Sequence, residues 1–226
     1  MPDFRSDSDW RGSTASTDRR LDAPAFHRNQ AAIANELQRL LGDKSGNVLE
    51  IGSGSGQHVV TFAATLSHLV WWPSDPDPQN RASIEAWRAS SALENVKPPV
   101  DLDAAVLDWQ LGQEERPPAN DITAILAINL LHIAPWSAAE GLLAAATRYL
   151  DKDGVLIIYG AFARNGAHTA SSNAAFDAYL RRQNAEWGVR DTADLEALAA
   201  MNGLQLTEII DMPANNAMLV FERSMT

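Results

Sequence analysis

The sequence predicts an α/β fold: a Rossmann-like, mostly parallel sheet of seven strands with helices on both faces, closed by an antiparallel C-terminal hairpin. Three observations predict it. Short apolar runs alternate with helical patterns along most of the chain. A glycine-rich turn stands where the first run passes into its helix. The last two runs are joined by a link too short for a parallel crossover.

Taken in order, residues 25–41 place Ile33, Leu37, Leu40 and Leu41 at helical spacing before Gly42. Strand patterns follow at 47–51, 68–72, 100–102, 121–128 and 155–159. Helical patterns cover 57–66, 78–92 and 137–150. Pro78 suits a first helical turn, and Asp153-Gly154 a turn before the fifth strand. Beyond a Gly/Ser/Asn-rich stretch, helices fit 174–182 and 192–201, and the closing strands fit 204–211 and 217–222. Residues 1–24 lack an apolar period and read as a flexible arm, leaving 25–226 as one domain.

The chain has 226 residues, 46% of them apolar, and a net charge of −11. That balance suits a globular protein, and the acidic total repels phosphate backbones, which ranks nucleic acid low among partners. The absence of cysteine excludes disulfides, thiolate metal sites and a cysteine nucleophile. The five histidines show no metal-ligand spacing, so no metal is expected. No apolar stretch is long enough for a bilayer, and residues 1–20 lack the apolar centre of a signal peptide. The expectation is a cytoplasmic monomer or homodimer acting on a small molecule, with no membrane partner.

The sharpest signal is Val48-Leu49-Glu50-Ile51-Gly52-Ser53-Gly54-Ser55-Gly56-Gln57-His58. Glycines there let the backbone turn and approach a ligand, and the helix start adds unpaired N–H groups. A dinucleotide fingerprint needs glycine where Gln57 stands, which argues against a nicotinamide oxidoreductase. Glu50 in the turn suits an ammonium better than a pyrophosphate, favouring S-adenosylmethionine. Asp75, after the second strand, can accept both ribose hydroxyls. Asp77 is the better helix cap. After the third strand, either Asp103 or Asp108 can accept the adenine amino group. Asp103 is preferred, with Trp109 as an adenine wall or simply core.

His132, just past the fourth strand, is the candidate general base, or else a histidine that only fixes its loop. Asn129 beside it suits a cofactor contact. Tyr159, ending the fifth strand, either touches the acceptor or packs. Asn173, Asp177, Arg181, Trp187, Arg190 and Asp191 form either a substrate-binding wall or an Arg–Asp network, with Arg181 or Arg190 the better substrate contact.

The glycine loop resembles motif I of the class I S-adenosylmethionine-dependent methyltransferases. The resemblance implies that Glu50, Gly52, Gly54 and Gly56 lie under the methionine part of the cofactor. A closer resemblance is to the methyltransferase-like protein 26 family and its bacterial relatives. It rests on Arg28-Asn29, Gly52 to His58, Trp72 to Asp75, Asn95 to Lys97, Leu102-Asp103, Ile128-Asn129 with His132, and Tyr159-Gly160. Ser172-Asn173, Phe176-Asp177, Glu186 to Asp191 and Asp211 to Asn216 extend it. It adds Arg28, Asn29, Ser53, Gln57 and His58 to the cofactor-binding set. The expected reaction is methyl transfer to a small-molecule acceptor by in-line displacement. The alternatives are a cofactor-binding protein without turnover, or a protein side-chain methyltransferase.

Overall fold

The structure is a computed structural model and describes residues 18–224. The chain runs α1 (Pro24–Leu41), β1 (Gly46–Ile51), α2 (Gln57–Thr65), β2 (Leu69–Ser74), α3 (Pro78–Ser91), β3 (Ile122–Ile128), α4 (Trp136–Tyr149) and β4 (Leu150–Gly160). Then come β5 (Phe162–Arg164), β6 (Ala167–His168), α5 (Ser171–Gln183), β7 (Arg190–Asp191), α6 (Thr192–Met201), β8 (Leu204–Met212) and β9 (Asn216–Arg223).

Six strands form the main sheet in the order β2-β1-β3-β4-β9-β8. Pairing is parallel from β2 through β4 and antiparallel at β4–β9 and β9–β8. Period-two alternation sends Val48, Leu126 and Ile157 to the face under α1, α2 and α3, while Leu49, Ile125 and Leu156 face α4 and α6. Both faces are covered, so the central strands are apolar on both sides, as a parallel sheet requires.

The sheet has six strands rather than the expected seven. Residues 95–100 do run alongside β2, with Lys97 N–H donating to the Trp71 carbonyl (2.8 Å) and Val100 N–H to that of Pro73 (2.9 Å). Pro98 and Pro99 have no N–H to give, so pairing shrinks to two isolated bridges, at Val96 and Val100. Elsewhere β4 starts earlier than expected, because Leu150 pairs with Ile122 before residues 151–154 loop out of register. A second, three-stranded sheet of very short strands, β6-β5-β7, had no readable period.

Of the arm expected over 1–24, residues 1–17 lie outside the described residues. Leu21 is buried, its N–H donating to Ser83 Oγ (2.8 Å) and its carbonyl accepting from Trp87 Nε1 (3.0 Å). No helix among the described residues is long and apolar enough to cross a membrane.

Candidate active site at the carboxyl edge of the sheet

The chain leaves β1 toward β2 on one side and later enters β3 on the other. The carboxyl ends of β1 and β3 therefore diverge into a crevice, the usual ligand position in open α/β sheets. The glycine loop sits at that point. Gly52, Gly54 and Gly56 all have left-handed backbones, at φ +67°, +55° and +88°. Two of them have different tasks. A Cβ on Gly56 would lie 2.7 Å from Ile84 Cα, so this glycine lets α2 pack tightly on α3. A Cβ on Gly54 would meet nothing within 4 Å. Gly54 opens the loop outward.

The loop is stapled to the end of β2. Ser53 N–H donates to the Ser74 carbonyl (2.8 Å), Ser74 N–H to Ser53 Oγ (3.1 Å), and Ser74 Oγ–H to the Glu50 carbonyl (2.7 Å). Asp75 Oδ2 accepts from Gly54 N–H (3.0 Å), while Oδ1 accepts from Asp77 N–H (2.9 Å) and Asn80 Nδ2 (3.1 Å). Burial raises the Asp75 pKa against those bonds. Asp77 caps α3 through Gln79 N–H, as expected (2.8 Å).

Glu50 is the electrostatic anomaly. It is 2% exposed, and its Oε2 has no hydrogen-bond partner among the described residues. Burial, with the Asp75 charge adding to it, pushes its carboxyl up to about 8, against a weaker lowering by Ser53. An unpaired buried carboxylate is costly unless a cation or donor meets it. Near neutral pH it therefore keeps its proton rather than carry an unpaired buried charge.

A cavity of about 200 Å³ lies in the crevice, lined by Gly52, Pro76, Leu102, Asp103, Leu130 and Ala138 among others. Asp103 is on its wall. Asp108 is turned to α4, where it accepts from Gln110 N–H (3.1 Å), Arg148 Nη1 (3.2 Å) and the Tyr149 hydroxyl (3.2 Å). Trp109 stacks on Tyr149 at 6.3 Å and belongs to the core.

The remaining expected cofactor residues form a support. Gln57 is buried and holds the N-terminal segment, accepting from Ala23 N–H (2.7 Å) and donating to Asp22 Oδ1 (2.8 Å). His58 Nε2 bonds Asn29 Oδ1 (2.9 Å), and burial pulls its pKa down to about 4, so the ring is neutral near pH 7. Asn29 and Asn216 both bond the Tyr159 hydroxyl, and Arg28 acts on it through its charge. Burial, the largest cause, raises that phenol's pKa. Asn129 takes a left-handed backbone (φ 55°), and its N–H donates to the Tyr159 carbonyl (2.8 Å). Arg28 and Asn29, Asn129 and Tyr159 thus converge from α1, β3 and β4.

Two expectations need correction. His132 is 2% exposed, and its Nε2 accepts from Ala161 N–H (3.0 Å), which spends the lone pair a general base would use. Burial, with Arg190 nearby, lowers its pKa to about 4. The ring lies edge-on to Phe162 and Phe176, and a Cβ on Gly160 would sit 2.2 Å from Nε2. This geometry fixes a loop. It does not present a base. Arg190, expected at the substrate, instead donates to the carbonyls of Leu131 (3.0 Å), Ala134 (2.6 Å) and Glu186 (2.7 Å). Arg190→Ala strands those acceptors and is expected to lower stability by about 2 kcal/mol, read as a fall in melting temperature.

Asp177 accepts from Val189 N–H (2.8 Å) and Arg181 Nε (2.9 Å), so this pair forms the network reading of the polar set. Asn173 is buried and donates to Thr169 Oγ1 (3.0 Å) and the Asn215 carbonyl (2.8 Å). Trp187 is half-buried, its N–H on the Asn184 carbonyl (3.0 Å).

A larger cavity, about 450 Å³, opens over the β8–β9 end of the same edge. Phe162, Met212 and Ala217 give it an apolar wall, and Arg164, Thr169 and Asn216 a polar one. Arg164 and its partner Asp211 were not expected from the sequence as functional residues. Their only signal was Asp211 at the head of the unusual Asp211-Met212-Pro213-Ala214-Asn215-Asn216 run.

Solved structures share this architecture. Mitomycin 7-O-methyltransferase MmcR matches with a TM-score of 0.71 at 13% identity, over 89% of this chain and 55% of that one. The pyocyanin biosynthetic protein PhzM matches at 0.67 and 19%, over 84% and 54%. CalO1, a methyltransferase in calicheamicin biosynthesis in its S-adenosylhomocysteine-bound form, matches at 0.65 and 18%, over 86% and 55%. The chain spans about half the length of these structures. The chain thus shares the α/β fold of these methyltransferase structures. The chain belongs to the family described as "Protein of unknown function (DUF938)", whose match covers residues 20–223.

Proposed function

We propose that this chain is an S-adenosylmethionine-dependent methyltransferase acting on a small molecule. One observation carries the reading: a buried, unpartnered carboxylate oxygen on Glu50 lies beneath a glycine loop that opens to space at Gly54. The residues fit the cofactor in charge and shape. Glu50 faces its ammonium end, Gly54 leaves room for the methionine part beside the Gly52 turn, Asp75 takes the ribose hydroxyls and Asp103 the adenine edge. Arg28, Asn29 and Asn129 close the site from α1 and β3. The finer likeness, to the methyltransferase-like protein 26 family, belongs to the same reading.

When bound, the sulfonium supplies an electrophilic methyl group, so the protein's work is alignment and exclusion of water. His132 and Arg190 hold the 130–134 loop in position. Tyr159 is buried, with its hydroxyl held by Asn29 and Asn216, so it supports the site rather than touching the acceptor. With its lone pair used, His132 gives no base assistance, and this favours an acceptor that is already a nucleophile, as an ionised oxygen or a neutral amine is. A pH–rate profile then shows no inflection from His132, and His132→Gln acts mainly through stability. The spent lone pair equally favours a second reading, cofactor binding without turnover. Methyl incorporation from labelled S-adenosylmethionine across a metabolite panel separates the two. Stabilisation by S-adenosylmethionine but not by NAD in a thermal-shift assay tests both against an oxidoreductase.

Cofactor binding also has a pH sign. A cation stabilises ionised Glu50, whose carboxyl in the free protein holds its proton up to about 8. Binding below that pH releases a proton, so affinity rises with pH toward about 8 and then levels. Calorimetry from pH 6 to 9 checks this, and Glu50→Gln flattens the profile.

A further inference from the structure

We propose that the larger cavity over β8 and β9 binds a small organic acid through Arg164, with Asp211 as a displaceable placeholder on the same guanidinium. As the acceptor's site, it rests on the methyltransferase reading. As a binding site, it rests on its own geometry.

The guanidinium is half used. Arg164 Nη2 bonds Asp211 Oδ1, while Arg164 Nε is buried and has no partner among the described residues. A carboxylate or phosphate engages the Nε and Nη2 edge as a pair, which gives two parallel charge-assisted bonds. Asp211 takes one of the two positions, and the other, covered from solvent, has no hydrogen-bond partner among the described residues. Its side chain is 83% exposed, so water readily solvates it when it is displaced. A buried donor left unsatisfied is costly, and a ligand acid that fills both positions recovers that cost.

The surroundings match such a ligand. A volume of about 450 Å³ holds a small molecule, and Phe162, Met212 and Ala217 suit an aromatic or aliphatic body. Asn216 lines the cavity and also bonds the Tyr159 hydroxyl, joining the pocket to the residues that converge at β4. The rim is strained. Ala214 and Asn215 both hold left-handed backbones, at φ 61° and 60°, and Asn215 is tied to α5 through Ser172 Oγ (3.1 Å) and Asn173. A left-handed backbone disfavours an alanine, and such strain gathers at ligand-binding loops.

The test is calorimetric titration of the full chain, saturated with S-adenosylhomocysteine, with benzoate and phenyl phosphate, and with benzyl alcohol as the uncharged control. The acids are expected to bind about tenfold or more tighter than the alcohol. Asp211→Asn is expected to tighten the acids several-fold by removing the competitor. Arg164→Gln is expected to weaken them about tenfold or more, and Arg164→Lys to restore only part, since lysine lacks the fork. Circular dichroism on each variant confirms that it folds. Acids that bind no better than the alcohol, or that ignore Arg164→Gln in a folded variant, overturn the proposal. If S-adenosylhomocysteine itself fails to bind the native chain, the cofactor reading falls instead; the acid titration on the free chain then still decides the pocket.

Discussion

Glu50→Gln is expected to raise the melting temperature of the ligand-free chain at pH 8 and to weaken S-adenosylhomocysteine binding by about 100-fold or more. The two effects have one cause. The Glu50 carboxyl sits at its ordinary 4.5 when solvated and at about 8 in the fold. A pKa raised by folding contributes stability that is full below 4.5 and lost as pH climbs through about 8. Glutamine never ionises, so it escapes that loss. The stability gap between variant and native chain is small at pH 5 and widens toward pH 8.5. At roughly 2–4 °C per kcal/mol for a chain of this size, thermal melts across that range resolve it. Ligand binding moves the other way, because the cation that Glu50 receives finds only a neutral amide. A substitution that stabilises the free protein while disabling it marks a residue kept for its site rather than for the fold.

Gly54→Val is expected to leave a folded protein that does not bind the cofactor, whereas Gly56→Val is expected to damage the fold itself. Both glycines are left-handed, so either substitution carries backbone strain of about 1–2 kcal/mol. They differ in what the new side chain meets. Around Gly54 there is nothing within 4 Å, so the valine projects into the volume that a ligand would use. At Gly56 the first new carbon collides with Ile84 Cα at 2.7 Å, and α2 has to move off α3. Circular dichroism and thermal melts read the second case, and calorimetry with S-adenosylhomocysteine the first. If Gly54→Val binds as the native chain does, the loop is only a tight turn.

The glycine loop, the acids at the ends of β1 and β2 and the hairpin were legible because each depends on local rules. Left-handed turns select glycine, the carboxyl ends of parallel strands are where an open α/β sheet puts its ligand groups, and a short link between two apolar runs permits only antiparallel pairing. The strand expected at 100–102 does not form: the segment beside β2 is 95–100, and Pro98 and Pro99, which lack N–H groups, reduce its pairing to two bridges. His132 and Arg190 were legible as important residues but not in their roles. Whether a histidine lone pair is free depends on where Ala161 N–H falls, and an arginine's partners here are main-chain carbonyls, which no side-chain pattern encodes. Arg164 was missed because its partner Asp211 is 47 positions away and the strand carrying it has three residues.

The most direct test is a calorimetric titration of the native chain with S-adenosylhomocysteine at pH 7, run in two buffers of different ionisation enthalpy. The account predicts one site of micromolar affinity, with release of close to one proton as Glu50 ionises. A folded chain that gives no binding heat, or that binds without releasing a proton, contradicts it.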